Sequence, residues 1–155
     1  MIAQAEISSD KSARSPPPSP ASPLDAELLH LHALQATGDY AAAVAGANQL
    51  LESHPANRDL LLIAAHSLRM MQQTDLALAA LERLAQHHPG FSQMFLERGL
   101  CHVARRDAPA AVADLRTAVT INPALAMGWH MLDGLLRMTG DQASSATAVK
   151  HCSHL

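Results

Sequence analysis

Apolar positions return in the same places every 34 residues along most of this chain. Val44, Leu78, Val112 and Ala146 form one such column, and Ala47, Leu81, Leu115 and Val149 another. Leu28, Leu62 and Leu96 form a third that continues to His130. Glu27, Leu61, Phe95 and Trp129 form a fourth that grows more aromatic along the chain. Small residues keep the same beat at Ala43, Ala77, Ala111 and Ser145, as expected where two helices cross closely. Pro55, Pro89 and Pro123 punctuate it. A fixed period between about 20 and 50 residues marks stacked repeats, each unit burying its apolar side against the next.

The polar positions set the element boundaries. Asp39, Gln73, Asp107 and Asp141 share a column. Asp is a good helix N-cap because its side chain accepts a bond from an orphan backbone N–H. Gly38 and Gly140 precede two of these caps, where a tight turn favours a residue that tolerates positive φ. The pattern predicts eight helices in four pairs. First helices are expected over 25–37, 59–71, 93–105 and 127–139, second helices over 41–53, 75–87, 109–121 and 143–154. Pro109 falls in a first turn, where its missing N–H costs nothing. The three periodic prolines follow second helices and stop them. His54, His87 and His88 are placed in last turns, where a charged form would suit the helix dipole.

Composition supports an all-helical reading. Apolar residues make up 48% of the 155-residue chain and aromatics only 3%, which suits close helix packing better than a sheet. Net charge is −3 with the signs mixed, so no basic stripe invites nucleic acid or an anionic membrane. No apolar run approaches the ~20 residues that span a bilayer, and the first residues lack the apolar centre of a signal peptide. The two cysteines, Cys101 and Cys152, form no motif, so a reducing, cytoplasmic setting is expected. Five of the nine prolines fall between Ser15 and Pro23, so residues 1–23 are expected to form a disordered Pro/Ser-rich tail, a flexible leader rather than a ligand for an aromatic groove.

Residues 24–155 resemble tetratricopeptide repeats, with units at about 24–57, 58–91, 92–125 and 126–155. The resemblance implies a right-handed α-solenoid. There are departures: His30 and Arg98 stand where the family usually has Leu, His102 where a large apolar residue is usual, and Asp133 where Gly is usual. His30 and His102 are expected in the inter-helix packing with a backbone acceptor. In the family, first helices line a concave groove that holds a peptide. Carried onto this chain, the groove residues are Leu28, His32, Leu62, His66, Arg69, Met70, Leu96, Leu100, His130, Arg137 and Met138. Gln35, Val103, Ala36, Ala104 and Gly134 complete the same columns. The face is expected to be mostly apolar, with Met as an adaptable contact and Arg as a partner for a carboxylate. The Lys and Asn with which the family's chaperone-tail readers clamp a terminal carboxylate are missing.

A narrower resemblance covers residues 91–141. The Glu97–Cys101 stretch, ERG-x-C, and the run from Ile121 to Asp141 are similar to the repeat region of bacterial tetratricopeptide-containing sulfotransferases. It implies a non-catalytic N-terminal scaffold, with any transferase domain outside this chain. The alternative is a stand-alone chaperone or adaptor for unfolded or secreted clients. A metal- or haem-handling protein is a third reading, suggested by ten histidines.

No catalytic constellation is visible. The seven glycines are scattered, with no phosphate-cradling loop and no Gly-x-Ser-x-Gly or Cys-x-x-Cys. Cys101 and His102 are neighbours and diverge on a helix. His87 and His88 likewise point apart, and His151, Cys152 and His154 crowd one helix end. His32 and His66 share a column and approach each other without an evident third ligand, so no metal and no cofactor is expected. The last helix carries Ala146, Val149, Cys152 and Leu155, an apolar stripe with only its partner helix to cover it. A solenoid end of this kind implies truncation or self-association.

Overall fold

The computed structural model describes residues 22–152, without the side chains of 142, 143 and 152. Eight helices follow one another in four antiparallel pairs: α1 (Pro23–Ala36) with α2 (Tyr40–Ser53), α3 (Arg58–Met70) with α4 (Thr74–His87), α5 (Ser92–Ala104) with α6 (Ala108–Ile121), and α7 (Ala126–Met138) with α8 (Gln142–Cys152). Each second helix also packs on the first helix of the next pair, and α3 lies beside both α1 and α5. The first helices thus share one face and the second helices the other. This is the helical solenoid that the period predicts, and the described residues contain no strand.

The predicted boundaries fall within about two residues of these, and the caps explain where each helix starts. Asp39, Asp107 and Asp141 accept from the backbone N–H groups of Ala42, Ala110 and Ser144. Gln73, the odd member of that column, makes no such bond. Composition assigns Ser22 and Pro23 to the tail. They open α1 instead: Ser22 and Asp25 form a reciprocal capping box, and Pro23 sits where no intrahelical N–H is needed. The remainder of the tail assignment, residues 1–21, lies outside the described residues. His54 and His88 sit one position beyond helical geometry as C-caps, and only His87 is in a last turn.

The small-residue column makes the helix crossings. Ala43, Ala77 and Ala111 are fully buried and Ser145 nearly so. Two apolar clusters run along the stack. One holds buried residues of α1–α4 together with Met94 and Cys101 of α5. The other gathers Leu96 with residues of α6, the loop before α7, and α7. In α8, Ser145 and Ala148 are buried whereas Ala146 and Val149 are exposed. Leu155, the end of the predicted stripe, lies outside the described residues.

Candidate functional site: the face of the first helices

The columns assigned to a groove do not all reach the surface. Leu28, Leu62 and Leu100 are half-buried, His32 and His130 are exposed, and Met70 and Met138 are 42% and 84% exposed. Leu96 is 5% exposed and belongs to the second core cluster, so it supports the face from behind. Arg137 is exposed, but Asp133 engages its Nε at 3.1 Å. Arg69 is held by Glu97, its Nε 2.7 Å from Oε2.

Glu97 organises the middle of this face. It projects from α5 between α3 and α5, with a side chain only 12% exposed. His66 Nδ1 lies 3.0 Å from its other oxygen. Burial works to raise the Glu97 pKa, but the hydrogen bonds from His66 and Arg69 outweigh it and hold the carboxyl below its ordinary value. Beside this triad, Gln35 of α1 donates to Ile63 O at 3.2 Å and to Ser67 Oγ at 2.9 Å, tying the first repeat to the second. Its Oε1 is 3.2 Å from His32 Nδ1. His32, Gln35, Leu62, Ile63, His66 and Glu97 enclose a cleft of about 180 Å³. Tyr40 meets His66 edge-on, with ring centroids 6.3 Å apart.

The face expected to be mostly apolar thus carries a polar cluster over α1, α3 and the start of α5, while Leu100, Val103 and Met138 lie farther along it with the exposed His130 and Arg137. Position-by-position reading of the first helices places Gln35 in a groove column but passes over Glu97. The signal is present: the column of Leu29, Ile63, Glu97 and Met131 is apolar except for one carboxylate. A charge in such a column calls for a buried partner.

The second-helix face differs in kind. Furrows of about 320, 480 and 280 Å³ recur between successive second helices. The first and third have floors of Ala64 and Leu68, and of Leu132 and Leu136. The middle one carries Arg98 and His102 at the equivalent positions, with Asp114 of α6 facing them. Arg98 forks onto Asp114 with bonds of 2.8 and 2.7 Å, and His102 Nε2 lies 3.5 Å from the same carboxylate. His102 thus faces a carboxylate in place of the expected backbone group, and His30 is exposed rather than packed.

The remaining chemistry is sparse. Cys101 is fully buried, and desolvation pushes its thiol up to about 11, far from a reactive thiolate. Among the described residues no group of three or more His, Cys, Asp or Glu side chains converges as a metal site. No described helix is long and apolar enough to cross a membrane.

This architecture, paired helices at a 34-residue pitch with first helices sharing a face, is that of a tetratricopeptide-like solenoid. Residues 62–126 match the family model described as tetratricopeptide repeat. A sequence search of curated proteins finds no match. Solved structures share the fold. The thermophilic TPR protein TTC0263 of Thermus thermophilus superposes with a TM-score of 0.73 at 19% identity, over 84% of this chain and 73% of that one. MamA from Desulfovibrio magneticus RS-1 gives 0.67 at 21% identity, over 83% and 71%. A chain of the Naa15/Naa10 assembly bound to HypK-THB gives 0.72 at 15% identity, over 81% of this chain and 19% of that one.

Proposed function

We propose that this protein is a non-catalytic scaffold that binds a protein or peptide along the face of its first helices. The single observation that carries this reading is the exposure of large apolar side chains on that face, Met70 at 42% and Met138 at 84%, beside half-buried Leu62 and Leu100. Such side chains are costly to leave in water and adapt to varied apolar partners. One of the structures sharing the fold is itself described as bound to a partner. The test is to select peptides from a displayed random library against the whole chain, then rebind them to a Leu62→Glu plus Met70→Glu variant. Loss of binding with an unchanged circular dichroism spectrum supports the groove. Retained binding places the surface elsewhere.

The resemblance of residues 91–141 to sulfotransferase-associated repeats gives this scaffold a proposed context, an N-terminal region that serves a transferase domain. A transferase reading frame joined to this one in the genome tests that context. The second reading is a chaperone or adaptor for unfolded clients, favoured by the flexible, exposed methionines. Suppression of aggregation of a reduced, unfolded test protein by the whole chain distinguishes it from a sequence-selective binder.

A further inference from the structure

Two imidazoles share the cleft between α1, α3 and α5, and their neighbours decide which ring nitrogen carries the proton. The end of the Gln35 carboxamide that faces Ile63 O must be the NH2 group, because a carbonyl only accepts. The opposite end, Oε1, is therefore an acceptor aimed at His32 Nδ1. The Glu97 carboxylate, ionised by its Arg69 and His66 contacts, is likewise an acceptor aimed at His66 Nδ1. Arg69 Nη2 also approaches that nitrogen, at 3.4 Å, but the 3.0 Å contact to an anion prevails. In its neutral form each ring thus carries its proton on Nδ1 and leaves a bare lone pair on Nε2.

Charge narrows what can sit against those lone pairs. An anion would face Glu97 as well as two nitrogen acceptors. A cation would find Glu97 already balanced by Arg69 at 2.7 Å and would lose its hydration without gaining a counter-charge. A neutral group bearing N–H donors meets neither cost. We propose that this cleft is a subsite for a carboxamide side chain, Gln or Asn, of a bound peptide, its NH2 group donating to Nε2 of His32 and of His66 and its methylenes lying on Leu62. This rests on the reading of the first-helix face as a peptide groove, and it adds selectivity to it. Leu and Met accept any apolar side chain, whereas paired acceptors reject a residue that cannot satisfy them.

Long-range 1H–15N correlation of the imidazoles in the free, whole protein tests the first step. Protons on Nδ1 of both rings are expected, and a proton on Nε2 of either ring overturns the proposal. Peptides identical except for one central residue, Gln, Glu, Lys or Leu, flanked by leucines, test the second by titration. The Gln peptide is expected to bind about tenfold more tightly than the others, with the Nε2 resonances of His32 and His66 moving together. His32→Phe is expected to abolish this preference, bringing the Gln peptide to the affinity of the Leu peptide. Equal affinity across the set, or preference for Glu or Lys, overturns the carboxamide subsite and leaves the groove standing. Binding of none of the peptides overturns both.

Discussion

At the scale of the residue, the repeat tolerates unusual side chains by matching them in pairs. Arg98, which departs from the family pattern, has Asp114 opposite it on α6. Asp133 has Ser145 opposite it on α8, at the small-residue column where the other repeats hold Ala. Each charge is thus answered across the crossing of its own helix pair. Glu97 is answered across repeats, by His66 and Arg69. Removing it leaves Arg69 without its partner in a largely dry site, so Glu97→Ala is expected to cost about 3–5 kcal/mol in denaturant unfolding. Because Glu97 is held below its ordinary value when folded, its stabilisation is present above the unfolded value and drains away as pH falls through the folded one. Glu97→Gln is therefore expected to show a shallower loss of stability on acidification below the ordinary carboxylate value than the parent, read from melts across that range. The turn column Gly38, Gln72, Arg106 and Gly140 carries a different kind of cost. All four have φ between 60° and 82°, but Gln72 and Arg106 bear a Cβ in that left-handed region. Gln72→Gly plus Arg106→Gly is expected to raise stability, by up to about 1 kcal/mol at each site once the greater freedom of glycine in the unfolded chain is offset. An unchanged melting temperature would show that those turns hold no strain.

At the scale of the element, the helices were legible because the signals that define them are local. Asp caps, turn residues and periodic prolines act over three or four positions, so they fixed helix ends to within about two residues. The misplacement of Pro23 has the same origin, since proline composition described a tail where the position of Ser22 and Asp25 described a cap. The site was less legible. Whether a first-helix position faces solvent depends on what the next repeat places over it, which is why Leu96 falls in the core and Arg69 is spoken for. Burial at the crossings is likewise shared between columns. Gly99 lets Leu115 approach so closely that an added Cβ would lie 3.0 Å from its Cγ, and one added at Gly46 would lie 2.6 Å from Leu31 Cδ2. The alanines are equally confined, with Ala77 and Ala111 at zero exposure. Ala77→Leu or Ala111→Leu is expected to overfill these crossings at a cost of about 1–3 kcal/mol, visible as a lowered melting temperature. Melts matching the parent for both variants would mean that the crossings lie elsewhere.

At the scale of the whole molecule, the two apolar clusters are unequal and meet across α5. Among the described residues, fifteen buried apolar side chains make the first and nine the second. Phe95 touches both, while Glu97 and Arg98 place charge, and His102 a polar ring, on the helix between them. A solenoid is stabilised repeat by repeat through nearest-neighbour contacts, so a thin or polar junction is where cooperativity breaks. The lone tryptophan makes this measurable. Trp129 packs on the second cluster, donates to Pro123 O at 2.9 Å, and stacks on His151 of α8 with ring centroids 4.2 Å apart. Its emission therefore reports the last two repeats, whereas far-ultraviolet circular dichroism reports every helix. The larger cluster holds the first two repeats together more firmly, so the tryptophan transition is expected at lower urea concentration than the helical one. Coincident transitions would mean that Phe95 and the ion pairs at α5 couple the halves into one folding unit.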